Sequence, residues 1–195
     1  MYMYIKKAEM KDLDILTEAV SACFPAGEAA TREMIQESLS VYPNCFWIGR
    51  DEYHSLVCFA AGPVTKEGKF TDQVYTDPSL HDQGGDWQML FSLCTMPEYR
   101  GKGMASLLLN RVIDEAEEAG RKGMVLACKE DKVPSFEKFG FVNEGLSELT
   151  WGGEKWYQMR LTFDEDYFLA KTFRISDNPD DNIQALEHAL WNGLW

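Results

Sequence analysis

Apolar positions repeat at two spacings along this chain, and together they predict a mixed succession of strands and helices. Residues 2–8 read as a short strand. Leu13, Leu16, Ala19 and Val20 then fall at helical spacing, with Asp12 placed to cap a helix to about Cys23 that Pro25 and Gly27 end. Thr31, three residues before Met34, opens a second helix with Ile35, Leu39 and Val41 on one side, and Pro43 stops it. Two apolar runs at 45–49 and 55–63 predict an antiparallel hairpin turning at 51–54. The polar stretch 65–86, with Gly68, Pro78, Gly84 and Gly85, predicts a long loop and a candidate lid. Residues 87–95, WQMLFSLCT, are almost unbroken apolar, as expected of a central strand covered on both faces.

After the turn PEYRGKG, a helix of about sixteen residues places Met104, Leu108, Val112 and Ala116 on one face, with Asp114, Glu115, Glu117 and Glu118 elsewhere. Gly120 ends it. A strand at 124–128 leads to a short helix near 134–139, with Gly140 in the left-handed position beyond its end. Two closing strands, 141–150 and 155–162, meet at Trp151-Gly152-Gly153. The pattern divides the chain into a domain over 1–162 and an extension over 163–195, whose helix carries Ile183, Leu186, Leu190 and Leu194. Tyr167, Phe168, Phe173, Trp191 and Trp195 make that extension too apolar to stay in water, so it is expected to fold onto the core or pair with a second chain as a homodimer.

With 195 residues and 45% hydrophobic content, the chain is long enough for one sizeable core. Its net charge of -13 repels nucleic acid and anionic lipid surfaces and favours cationic partners. The 5 cysteines, Cys23, Cys45, Cys58, Cys94 and Cys128, form no CxxC pair, which argues against a disulfide framework or a bound metal. No apolar stretch is long enough to span a membrane, and the expected location is the cytoplasm.

The chemistry concentrates in Arg100-Gly101-Lys102-Gly103-Met104-Ala105, where a buried strand runs through glycines into a helix. Unpaired N–H groups and the positive end of the helix dipole make such a turn an anion site. Gly101 and Gly103 let the backbone approach the anion, and Arg100 and Lys102 add positive charge. The ATP-type pattern GxxxxGK[ST] is absent, and a GxGxxG fingerprint would need glycine where Ser106 stands. The remaining pattern is RxxGxA, on Arg100, Gly103 and Ala105.

LCTMPEYRGKGMASLLLNRVIDEA, which contains this pattern, resembles the cofactor motif of the GNAT acetyltransferase superfamily, and PSFEKFGF resembles the family's FYEKxGF element one strand later. Within it, ACKEDKVPSFEKFGF and the Phe24-Pro25 loop are most similar to the arylalkylamine N-acetyltransferase branch. The resemblance implies a mixed, mostly antiparallel α+β sheet flanked by helices in the order β-α-α-β-β-β-α-β-α-β-β. It also implies an acetyl-CoA co-substrate held by Leu93, Cys94, Thr95, Arg100, Gly101, Lys102, Gly103, Met104, Ala105 and Phe136. The backbone at 93–95 is expected to pair with the pantetheine arm, and N–H groups at a bulge in strand 87–95 to stabilise the acyl oxygen. A small amine is the implied acceptor, in a pocket lined by Phe24, Pro25, Met89 and Phe91.

Two departures stand out. Phe136 occupies the place of the family's proton-donating tyrosine, which leaves Ser135 and Cys128 as substitutes. Met89 and Phe91 replace the two histidines of the arylalkylamine branch, and a free alkylamine is neutral in only ~1 molecule in 10³ at pH 7. Asp86 and Glu28 are candidates for leading its proton away, whereas His54, His81 and His188 read as surface residues. Two other readings stay open: an acyl-CoA-binding module that has lost catalysis, and an enzyme acting on protein N-termini or lysines with 65–86 as its docking face.

Overall fold

A computed structural model describes residues 2–174, and the chain divides after Leu161 into two compact units. In the first unit, β1 (Tyr4–Lys7), β2 (Phe46–Arg50) and β3 (Leu56–Ala61) form an antiparallel meander. β2 and β3 are almost wholly buried on both faces, and the helix over Met104–Glu118 packs across both strands. The turn between them is tied by Asp51, whose Oδ1 accepts from the N–H groups of Tyr53 and Ser55, both at 2.9 Å. His54 there takes a positive φ of 65°.

Helices α1 (Leu13–Cys23) and α2 (Arg32–Val41) occupy the expected spans. Thr31 caps α2 by accepting from Met34 N–H at 3.3 Å. Asp12 does not cap α1: its carboxylate instead accepts from Glu9 N–H at 2.9 Å and Arg50 at 2.8 Å. Val41 is exposed rather than on the buried face with Ile35 and Leu39.

The segment expected to be a free loop and lid is instead anchored structure. It contains β4 (Val64–Thr65) and α3 (Asp72–Thr76), and Phe70 is 2% exposed against Met89, Val125 and Leu149. Phe70 N–H donates to Gln158 Oε1 at 2.8 Å, and Asp72 Oδ1 accepts from Thr150 N–H at 2.9 Å. One deeply buried aromatic and these bonds outweigh the polar composition that suggested mobility.

The expected central strand is two strands, β5 (Trp87–Leu90) and β6 (Ser92–Thr95), separated at Phe91. β6 ends a four-stranded sheet of order β1-β2-β3-β6, while β5 lies inside a five-stranded sheet of order β4-β5-β7-β9-β8. Here β7 is Gly123–Cys128, β8 is Val142–Leu146 and β9 is Tyr157–Thr162; β5 and β7 run parallel, joined by α4 (Met104–Glu118). The architecture is therefore mixed and mostly antiparallel, as anticipated, but it is broken into two sheets. The short helix α5 (Val133–Glu137) follows β7, and Gly140 beyond it has φ 90°.

In the second unit, helix α6 (Glu165–Arg174) begins with Asp164 Oδ1 accepting from Tyr167 N–H at 2.9 Å. The expected helix carrying Ile183, Leu186, Leu190 and Leu194 lies outside the described residues, as do His188, Trp191, Trp195 and the side chain of Phe173. Among the described residues, no helix is long and apolar enough to cross a membrane.

Candidate active site

The break at Phe91 creates the site. β5 pairs with β7 from Trp87↔Gly123 to Leu90↔Leu126, and there the pairing stops. β6 pairs with β3, with Ala61 opposite Ser92, yet Phe91 N–H also donates to Ala61 O at 2.8 Å. Two residues facing one make a β-bulge, which turns β6 away from β7. Gln88, 4% exposed, fixes the kink: its Nε2 donates to Gly62 O and Met89 O, both at 2.8 Å, and to Pro63 O at 3.2 Å.

Between β6 and the end of β7 opens a cavity of about 660 Å³. Met96 N–H donates to Val57 O at 2.9 Å, so antiparallel alternation turns the peptide groups of Leu93 and Thr95 toward the cavity side. Thr95 O accepts there from Arg100 Nε at 3.2 Å and Cys23 Sγ at 3.5 Å. Thr95 Oγ1 is buried and has no hydrogen-bond partner among the described residues.

At one end stands the glycine loop. Gly101 and Gly103 have φ of 73° and 76°, and a Cβ built on either would meet nothing within 4 Å. Gly103 O accepts from Leu107 N–H at 3.1 Å, so the amides before Leu107 have no partner within the helix. Open space, bare amides and Arg100 suit a phosphate-bearing cofactor.

At the other end, Phe70, Phe91, Tyr75 and Trp151 form a chain of ring contacts, with centroids 5.0 Å (Phe70–Phe91), 5.1 Å (Tyr75–Phe91) and 4.8 Å (Tyr75–Trp151) apart. Glu28 lines this end with only 8% exposure. Lys129 binds its carboxylate and lies 3.6 Å from Glu154, while Trp151 Nε1 donates to Glu28 O at 2.9 Å. Burial, and then the charge of Glu28, push the Tyr75 hydroxyl up to about 12.

Leu93, Cys94, Thr95, Arg100, Ala105, Phe136, Phe24, Pro25, Phe91, Ser135 and Cys128 all line the cavity. Gly101, Lys102 and Gly103 are exposed beside it, with Lys102 Nζ donating to Glu98 O at 3.0 Å. Met104 and Met89 depart from expectation. The Met104 side chain is buried, leaving only its backbone for a ligand, and Met89 is fully enclosed by Phe70, Val125 and Leu149 instead of lining the acceptor pocket. The bulge also fails to supply the expected free donor, since Phe91 N–H is bound to Ala61 O; Leu93 N–H is the nearest one turned toward the opening.

Among the titratable groups, Asp86 pairs with Lys122 at 2.9 Å away from the cavity, whereas Glu28 lies in it. His54 sits in the β2–β3 turn beside Tyr4, and His81 Nδ1 accepts from Val64 N–H at 3.0 Å. Burial pushes the Cys128 thiol up to about 11. Cys23 is held below the ordinary thiol range by the Cys94 thiol beside it and by Arg100. Among the described residues, no group of three or more His, Cys, Asp and Glu side chains is placed to hold a metal ion.

Sequence reasoning missed Cys23, Tyr75, Lys129, Trp151 and Gln88. Phe24-Pro25 pointed to the neighbourhood of Cys23, but nothing local marks the others.

Residues 79–163 match the family model described as Acetyltransferase (GNAT) domain. A stretch of 126 residues is 29% identical to serotonin N-acetyltransferase of Mesocricetus auratus, covering 64% of this chain and 59% of that protein, so the chain matches about three fifths of that relative's length. The fold is similar to the loading GNATL domain of CurA from Lyngbya majuscula, with TM-score 0.71 and 15% identity over 83% of this chain and 98% of that one. It is also similar to a GNAT family acetyltransferase from Brucella melitensis in complex with acetyl-CoA, with TM-score 0.56 and 16% identity over 84% of this chain and 89% of that one.

Proposed function

We propose that this chain, whose residues 79–163 match a GNAT acetyltransferase domain, transfers the acetyl group of acetyl-CoA directly to a primary amine, a small aryl or alkyl amine. The observation that carries this reading is the continuity of one cavity from the bare amides before Leu107, past the open edge of β6, to the aromatic chamber at Phe91. The similarity to serotonin N-acetyltransferase supports an amine acceptor, and the Brucella melitensis complex supports acetyl-CoA as donor.

Bound acetyl-CoA would supply an activated thioester. Gly101 to Ala105 and Arg100 would hold its pyrophosphate. The peptide groups of Leu93 and Thr95 would pair with its pantetheine amides as an added strand. Leu93 N–H would face the negative charge developing on the acyl oxygen, in the role first expected of the bulge. Phe24, Pro25 and Phe91 would orient the acceptor from the apolar side.

The departing thiolate has no strong acid beside it. Phe136 lines the cavity with a bare ring set edge-on to Phe141, centroids 6.0 Å apart. Ser135 is exposed, and the Cys128 thiol at about 11 holds its proton more tightly than a free thiol of pKa ~8.5 would accept it. Release of the thiolate to solvent, with later protonation, is therefore the route, at a cost of up to ~10²- to 10⁴-fold in rate. The same observation favours a second reading, an acyl-CoA-binding module without turnover.

Incubating the purified protein with acetyl-CoA and a panel of primary amines tests both readings. Amine-dependent release of free CoA supports the enzyme. Tight acetyl-CoA binding with no release across the panel supports the binding module.

A further inference from the structure

The acceptor end of the cavity contains a charge arrangement that neither the cofactor nor the acyl transfer requires. Glu28 is drawn out of water in the turn between α1 and α2, where its N–H donates to Pro25 O at 2.8 Å. Trp151 holds the backbone of Glu28 through the 2.9 Å bond to its carbonyl. Gly152, at φ 68°, lies so close that a Cβ there would stand 2.9 Å from Glu28 Cγ. A buried carboxylate is costly unless it is paired, and Lys129 pairs it. Yet Lys129 also serves Glu154, a half-exposed residue outside the cavity lining, at 3.6 Å, so two carboxylates share one ammonium and the trio carries a net negative charge.

Other charged groups on the cavity wall do not cancel that charge. Asp131 and Lys132 pair with one another at 2.7 Å, and Arg100 is at the glycine-loop end on Thr95 O. The lining also includes the rings of Tyr75, Phe91, Trp151 and Trp156, and the face of an aromatic ring attracts cations. Lys129 Nζ itself lies 5.8 Å from the centroid of the Trp156 ring.

We infer that this end of the cavity is an ammonium-binding site: Glu28 holds the acceptor as a protonated amine against the aromatic walls, and Lys129 competes with the acceptor for the same carboxylate. The inference rests on the acyl-transfer reading and adds to it the charge state in which the acceptor is recognised; the held ammonium must pass one proton to water in the open cavity before its nitrogen attacks the thioester. Glu28 is then a specificity-determining residue. Lys129 sets how strongly a substrate cation is held, because any incoming ammonium must share Glu28 with it.

The signs of two substitutions distinguish this from a structural ion pair. Glu28→Gln should raise KM for an alkylamine by about tenfold or more, since a charge-assisted hydrogen bond is lost, while KM for a weakly basic arylamine of similar size, neutral at pH 7.5, stays within about twofold. Lys129→Met should lower KM for the alkylamine by about threefold through removal of the competing cation. If both variants weaken both amines alike, the pair is structural and the inference fails. If Glu28→Gln tightens binding and Lys129→Met abolishes it, the site takes an anionic group and the inference is overturned.

Should the wild-type protein release no CoA with any amine, the acyl-transfer reading fails, and calorimetric titration of the same two amines into CoA-saturated wild type and Glu28→Gln decides the inference separately. A selective loss of alkylamine affinity in the variant supports the ammonium site. Equal affinities, or no binding of either amine to the wild type, refute it.

Discussion

β5 and β6 are consecutive halves of one apolar run, yet they meet opposite fates. β5 has β4 on one side and β7 on the other, with Met89 sealed beneath Phe70. β6 has β3 alone, and the side it turns from β3 faces the cavity. The difference comes from one extra residue at Phe91 and the Gln88 amide that clamps three carbonyls around it. Burial on both sides makes a scaffold, whereas an unpaired edge leaves the Leu93 peptide group and the Thr95 N–H without a strand partner, although Thr95 O is met by Arg100 and Cys23. On the proposed reading that partner is the pantetheine arm.

The largest effect that would break this comparison is expected at Gly103. A side chain there enters space empty of protein atoms, so Gly103→Glu should cost only about 1–2 kcal/mol of stability through its positive φ. The same side chain would fill the anion site with negative charge, and acetyl-CoA affinity measured by calorimetry should fall by about 10³-fold. Gly103→Ala separates the two causes, because it carries the strain without the charge.

Next in size is the clamp. Gln88→Leu leaves carbonyls of Gly62, Pro63 and Met89 without their donor in a buried place, which should cost about 1–3 kcal/mol. In a chain of this length each kcal/mol lowers Tm by roughly 2–4 °C, as thermal unfolding would show. Unchanged Tm and unchanged acetyl-CoA affinity in this variant would mean that the kink holds without Gln88.

Phe136→Tyr places a phenol on the cavity wall where a thiolate would depart, and kcat should rise by about tenfold with little change in acetyl-CoA affinity. No gain would show that loss of the thiolate does not limit the rate. The smallest effect concerns the cysteines. Cys23 is partly exposed and its pKa is lowered, so more of it is thiolate at neutral pH; Cys45, Cys58 and Cys128 are buried and raised, which suppresses theirs. Iodoacetamide should therefore label Cys23 first, and acetyl-CoA should slow that labelling severalfold. Labelling indifferent to acetyl-CoA would put the cofactor elsewhere.

Local and non-local information differ in how legible they were. The glycine loop is contiguous, and its chemistry follows from residue types at fixed spacing, so Arg100, Gly101 and Gly103 stood out before any fold was known. The helices were legible for the same reason, since apolar spacing over α1, α2 and α4 is a local signal. The acceptor end is not contiguous: Glu28, Tyr75, Lys129 and Trp151 come from four separate segments and meet only through the fold. Gln88 was hidden because one polar residue in an apolar run leaves the strand pattern intact. Met89 and Phe91 share a face in an unbroken strand, but the bulge sends one into the core and the other to the cavity. Segment 65–86 misled through its average polarity, when a single residue, Phe70, decides where it packs.

Hydrogen exchange with and without acetyl-CoA tests the central claim most directly. Binding should protect the amides of Leu93 and Thr95 on β6, together with those of Met104, Ala105 and Ser106 at the start of α4, and leave the already protected β5 amides unchanged. Acetyl-CoA that binds while the Leu93 and Thr95 amides exchange as before, or that does not bind at all, would contradict it.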